Sequence, residues 1–168
     1  MTEVSSIYLS GLKNAHAMEN QALSIMKPQV SRIENYPQVA RRLEQHIAET
    51  EVQISRLDQL LDGAGADNST LKDMALSFTG AMAALGHTVA PDEIVKNSFA
   101  NYAFEHFEIA AYKSLLALAN HMGDARAVDL LTQNLREEQD MAAWLDENIE
   151  PVTLQYAALR EVGETAKR

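Results

Sequence analysis

The chain has no cysteine among its 168 residues. That excludes disulfides, thiolate chemistry, iron–sulfur clusters and cysteine-bound zinc. Aromatic residues make up only 6%, too few for a strand-rich protein. No apolar run is long enough to span a bilayer, and the opening MTEVSSIYLSGLKN lacks the basic-then-apolar pattern of a secretory signal. Lysine and arginine are outnumbered 14 to 24 by aspartate and glutamate, for a net charge of -10. An acidic surface of this kind repels nucleic-acid backbones and anionic membranes. Gly63-Ala64-Gly65 is not followed by the Lys-Ser/Thr of a phosphate loop, and no nucleophile–base constellation stands out. These absences lead to the expectation of a soluble cytoplasmic protein that binds neither nucleic acid nor membrane.

What is present is helical periodicity. Hydrophobic residues make up 46% of the chain, and alanine, leucine, glutamate and glutamine favour helix. Apolar positions recur at helical spacing almost throughout. A first segment runs from about Glu3 to Met26 and is interrupted by Pro28 and Glu34-Asn35-Tyr36-Pro37. A second starts near Pro37, a good first-turn residue, and stops at Asp62-Gly63-Ala64-Gly65. A shorter one covers Ser69 to about Leu85. The next opens at Pro91-Asp92-Glu93 and runs to Met122, with Gly123 as terminator. The last runs from Asp124 to about Glu150, where Pro151 breaks it, leaving a weak helix and charged tail over residues 151–168. The fold expected is an all-α, antiparallel four-helix bundle in one domain, its core at about residues 3–150, with a short extra helix in the crossover between two hairpins.

The spacing of the glutamates is the most informative feature. Glu19 and Glu49 are 30 residues apart, as are Glu108 and Glu138. The midpoint of each pair falls on a predicted turn, near residue 34 and at Gly123. Residues equidistant from a hairpin turn lie side by side, so each pair sits level, roughly 20 Å from its turn at 1.5 Å per residue. Packed together, two such hairpins bring carboxylates to one height. The residues three, four and seven positions away show which way each faces. Those around Glu19, Glu108 and Glu138 are mainly apolar. Those around Glu49 include Arg42, Gln45 and Arg56, so Glu49 flanks the apolar stripe while His46 lies on it. Charges in an apolar core are costly without compensation, and carboxylates there repel one another. Bound cations resolve both problems, and oxygen ligands with an imidazole suit iron or manganese. His16 and Glu105 stand one turn before Glu19 and Glu108. Tyr102 and Tyr112 are spaced to lie near Glu105 and Glu108, and Glu137 is rotated away from Glu138.

Ala17-Met18-Glu19-Asn20-Gln21, His46-Ile47-Ala48-Glu49-Thr50, Glu105 to Tyr112 and Leu135-Arg136-Glu137-Glu138 resemble the signature segments of the YciE/YciF-type ferritin-like proteins. The resemblance extends to about residue 150. It implies a fold like that of rubrerythrin and bacterioferritin, a bacterial stress role, a homodimer, and a centre of two iron ions, with manganese as the other candidate. The metal ligands expected are Glu19, His46, Glu49, Glu105, Glu108 and Glu138, and the chemistry is oxidation of Fe(II) or reduction of O2 or peroxide. The wider superfamily supplies Glu-x-x-His on two helices. This chain has none, since Val52 follows Glu49 and Met141 follows Glu138 at that spacing. The alternative expectation is a stress-associated structural or interaction protein whose metal is structural or absent.

Overall fold

The computed structural model describes residues 2–65 and 90–168, and the segment expected as a short crossover helix, Ser69 to Leu85, lies outside them. Among the described residues there are four helices and no strand: α1 (Glu3–Arg32), α2 (Pro37–Gly63), α3 (Glu93–Met122) and α4 (Ala125–Glu161). Their ends follow local chemistry. The Thr2 side chain accepts the Ser5 N–H at the start of α1. Pro37 occupies the first turn of α2. Gly123 closes α3 in the left-handed region at φ 70°, and Asp124 then caps α4 by accepting the Ala127 N–H at 2.9 Å.

The helices pack side by side as α1–α2, α3–α4, α1–α3 and α2–α4. Gln29 meets Asn101 and Glu19 meets Tyr112, so α3 runs antiparallel to α1. On the other side His46 faces Glu138 and Arg56 reaches Glu137, so α4 runs antiparallel to α2. Leu12, Leu43, Leu57, Leu131 and Met141 are fully buried between them. At Gly11, α1 comes close to α3: an added Cβ would stand 2.8 Å from Leu115 Cδ2.

Two expected interruptions are corrected. Pro28 lies inside α1 and Pro151 inside α4, and neither ends its helix. Both prolines are exposed, as are Ser24 and Glu147 one turn before them, whose carbonyls lose an N–H partner on a face open to water. Beyond each proline the chain still has apolar surface to bury: Val30 after Pro28, and Val152, Tyr156 and Leu159 after Pro151. Residues 151–161 therefore extend α4 rather than forming a separate helix.

At the far end of the bundle, the C-terminal residues tuck between the α1–α2 turn and the start of α3. The Tyr36 hydroxyl donates to Ala166 O and the Asn35 side chain to Thr165 O, both at 2.6 Å. The Ile94 N–H donates to Lys167 O at 2.9 Å.

Candidate metal centre

Midway along the bundle the core turns polar. Glu19 on α1, His46, Thr50 and Gln53 on α2, Glu105, Glu108 and Tyr112 on α3, and Asn134 and Glu138 on α4 are all buried. Glu19 and Glu138 sit on inward faces because the residues one turn away are core apolar residues, Ala15 and Ala22 for Glu19 and Met141 and Ala142 for Glu138. The others follow one another at helical spacing, as His46, Thr50 and Gln53 do on α2. Within this layer one ligating atom each from His46, Glu105, Glu108 and Glu138 lies within 4.8 Å of the others. Glu19 stands alongside, near enough that its charge and that of Glu138 both act on Glu108.

His46 orients the group. Its Nδ1 is 2.9 Å from Glu49 Oε2, while its Nε2 points at Glu105 and Glu138, 3.3 and 3.4 Å away. A single N–H at those lengths satisfies neither carboxylate well. Within this layer, six carboxylate oxygens have no hydrogen-bond partner among the described residues: one each on Glu19 and Glu105, and both on Glu108 and on Glu138. Arg56 stops short of them, donating to Asn134 at 2.9 Å and to Glu137 at 2.7 and 2.9 Å. Asn134 in turn donates to the Tyr112 hydroxyl at 3.0 Å, and Tyr112 donates to Glu19 Oε1.

The electrostatics follow from this crowding. Burial, then the Glu138 charge, raises Glu19 well above the usual carboxylate range. Burial and three neighbouring carboxylates do the same to Glu108. Glu138 is raised to about 7, burial outweighing the help it receives from His46. Burial alone would lower the pKa of His46, but Glu105 and the other carboxylates around it hold it well above its ordinary value. Burial raises Glu49 too, yet the His46 hydrogen bond and Arg42 bring it down to about 2. A cation in the cluster would occupy the unpartnered oxygens and relieve the repulsion. Several carboxylates and one imidazole form a donor set suited to iron or manganese, so the residues fit the metal that the resemblance implies.

Residues 3–158 match the family described as a domain of unknown function, DUF892. The chain belongs to this family. It is 26% identical over 147 residues to Protein YciF of Escherichia coli K12, covering 83% of this chain and 86% of that protein. It is similar to a crystal structure of a Xanthomonas campestris pv. campestris protein, with 30% identity over 95% of this chain and 99% of that one and a TM-score of 0.81. It is also similar to a Rhodopseudomonas palustris protein given a provisional structural role, with 25% identity over 87% of this chain and 94% of that one and a TM-score of 0.66. The crystal structure of the E. coli stress protein YciF shares the fold, with a TM-score of 0.71 at 21% identity over 89% of this chain and 96% of that one.

Of the six expected ligands, Glu19, His46, Glu105, Glu108 and Glu138 are gathered in the polar layer. Glu49 lies behind His46, partly exposed and bound to Arg42, Gln45 and His46. At that position it holds the imidazole, as the partner of a metal-ligating histidine does. His16 faces Asp58 at 3.1 Å rather than the core. Tyr102 bonds Asp146 on the surface, whereas Tyr112 reaches Glu19. The sequence reading did not assign Thr50, Gln53 or Asn134 to the site. The signal was their inward register: Thr50 and Gln53 follow His46 at four and seven positions, and Asn134 precedes Glu138 by four.

Proposed function

We propose that this protein holds two metal ions, iron first and manganese as the other candidate, in the middle of its bundle, and that it serves in a stress response. The stress role rests on the likeness to E. coli YciF, which is described as a stress protein. The metal reading rests on one observation: six buried carboxylate oxygens without partners around a single histidine. A core filled to contribute stability alone would not carry them, because each unsatisfied buried polar group costs about 1–3 kcal/mol. Iron bound there would supply electrons for reducing O2 or peroxide, with Fe(II) or another reductant as the donor. The chain's own residues have definite tasks. Glu108 and Glu138 reach both halves of the layer, His46 gives the one nitrogen, and Glu49 fixes which imidazole nitrogen faces inward. Tyr112 and Asn134 set the orientation of Glu19, and the surrounding leucines exclude bulk water.

The test is metal analysis of protein purified without chelator, beside a Glu19→Ala/Glu108→Ala variant. About two irons or manganeses per chain, lost in the variant, is the expected result, followed by oxygen consumption when Fe(II) is added. Metal absent from both proteins would favour the second reading, a structural or interaction protein. The observation on that side is that protonated His46 lies between Glu49, Glu105 and Glu138 and partly offsets their charge.

A further inference from the structure

Gln53 is fully buried, yet neither its amide oxygen nor its amide nitrogen has a partner among the described residues. Its place along the bundle is fixed by the contacts on either side. On α2 it lies between His46, which faces Glu138, and Arg56, which reaches Asn134 and Glu137. It is therefore level with the turn of α4 that carries Asn134 and Glu138. It also lies between Glu51, paired with Lys27, and Asp58, paired with His16, which sets it level with the stretch of α1 that carries Glu19. Thr50, one turn before it, is equally buried, and its hydroxyl is also unpartnered.

A leucine at position 53 would fill such a place without an unmet polar group. On the reading that the layer binds metal, we infer that the Gln53 amide oxygen is a ligand, serving with Glu19 a second cation position that shares Glu108 and Glu138 with the His46 position. The two positions then differ in kind. The first has an imidazole and carboxylates. The second has oxygens only, one of them neutral. Carboxylate and carbonyl oxygens suit Mn(II) and Mg(II), and a site without imidazole holds late transition metals less selectively. The centre is thus asymmetric, with one tightly held ion and one exchangeable ion. Its asymmetry comes from Gln53 standing three residues after Thr50, where a metal-binding helix of the wider fold carries Glu-x-x-His.

The experiment is titration of the metal-free protein with Mn(II), followed by calorimetry and by the electron paramagnetic resonance of the bound ion. The wild type is expected to take two ions per chain in unequal steps. In Gln53→Leu the tight step is retained and the second weakens about tenfold or more. In Gln53→His the second step tightens and the two affinities converge. The thermal melt of each metal-free variant reports folding separately from binding. Two unchanged steps in Gln53→Leu, loss of both steps, or no tightening in Gln53→His would overturn the assignment of Gln53 while leaving a metal centre in place. A wild type that takes up neither Mn(II) nor Fe(II) would overturn the metal reading and this assignment with it.

Discussion

Two buried glutamates on one helix meet opposite surroundings. Glu93, at the start of α3, receives Arg32 at 2.8 and 2.9 Å, and Lys167 stands 3.6 Å away. Glu108, four turns further along, is as deeply buried, and neither of its oxygens has a hydrogen-bond partner among the described residues. The fold can therefore compensate a buried carboxylate with its own side chains, and does so at one end. That it leaves the middle with one histidine among four carboxylates, six of whose oxygens have no partner, marks the middle as a place for something brought from outside.

The comparison can be broken most severely at its satisfied end. Arg32→Ala strands Glu93 without its main partner, and loss of about 3 kcal/mol is expected, seen as a fall in Tm on the order of 10 °C. Pairing the change with Glu93→Leu should restore much of that loss. At the other end, metal added to the metal-free protein at a hundred times its Kd should stabilise by about 2.7 kcal/mol, while Glu108→Gln should abolish that response without unfolding the chain.

Acidity sharpens the contrast further. Glu138 titrates near 7 rather than its ordinary 4.5, so between those values the folded state keeps a proton that the unfolded chain gives up. Its contribution is greatest below the ordinary value and is lost as pH rises through about 7. His46, raised above 6.5, contributes stability fully present below that value and lost as pH climbs through its folded value. Glu49, lowered to about 2, acts oppositely, but only below its ordinary range. Metal-free protein should therefore melt on the order of 5 °C higher at pH 5.5 than at pH 8. Bound metal should reverse the slope, because it needs deprotonated ligands. The smallest effect belongs to Tyr112→Phe, which removes one hydrogen bond from Glu19 and should cost about 1 kcal/mol in calorimetry of the metal-free protein.

Much of this was legible in the chain. Pro37 and Gly123 announce their helix ends because each has one favoured backbone role there. The matching distances of Glu108 and Glu138 from Gly123 set the level of the polar layer on α3 and α4. Glu19 and Glu49, by contrast, are not level: Lys27 meets Glu51 and His16 meets Asp58, so α2 is offset along α1 and Glu19 lies opposite the turn that carries Gln53. Facing was legible on α2 as well. Arg42 and Gln45, two turns and one turn before Glu49, mark it as flanking the stripe that His46 lies on, and the same two side chains hold Glu49 outside. Pro28 and Pro151 looked like breaks because propensity counts the lost hydrogen bond and overlooks the apolar surface still to be covered. Gln53 and Thr50 stayed unread because their residue types, unlike glutamate, raise no question until burial is known.

The tail that closes the bundle is held mostly through its main chain. Ala166, Thr165 and Lys167 offer backbone carbonyls to Tyr36, Asn35 and Ile94, so most of the fastening follows where the polypeptide runs. Lys167 beside Glu93, Arg168 on Glu34 and the buried Ala166 add side-chain contacts. Substitution of the exposed Thr165 side chain should thus be forgiven wherever the replacement can trace the same route. A shift of one residue in the tail, with every side chain kept, would unfasten it.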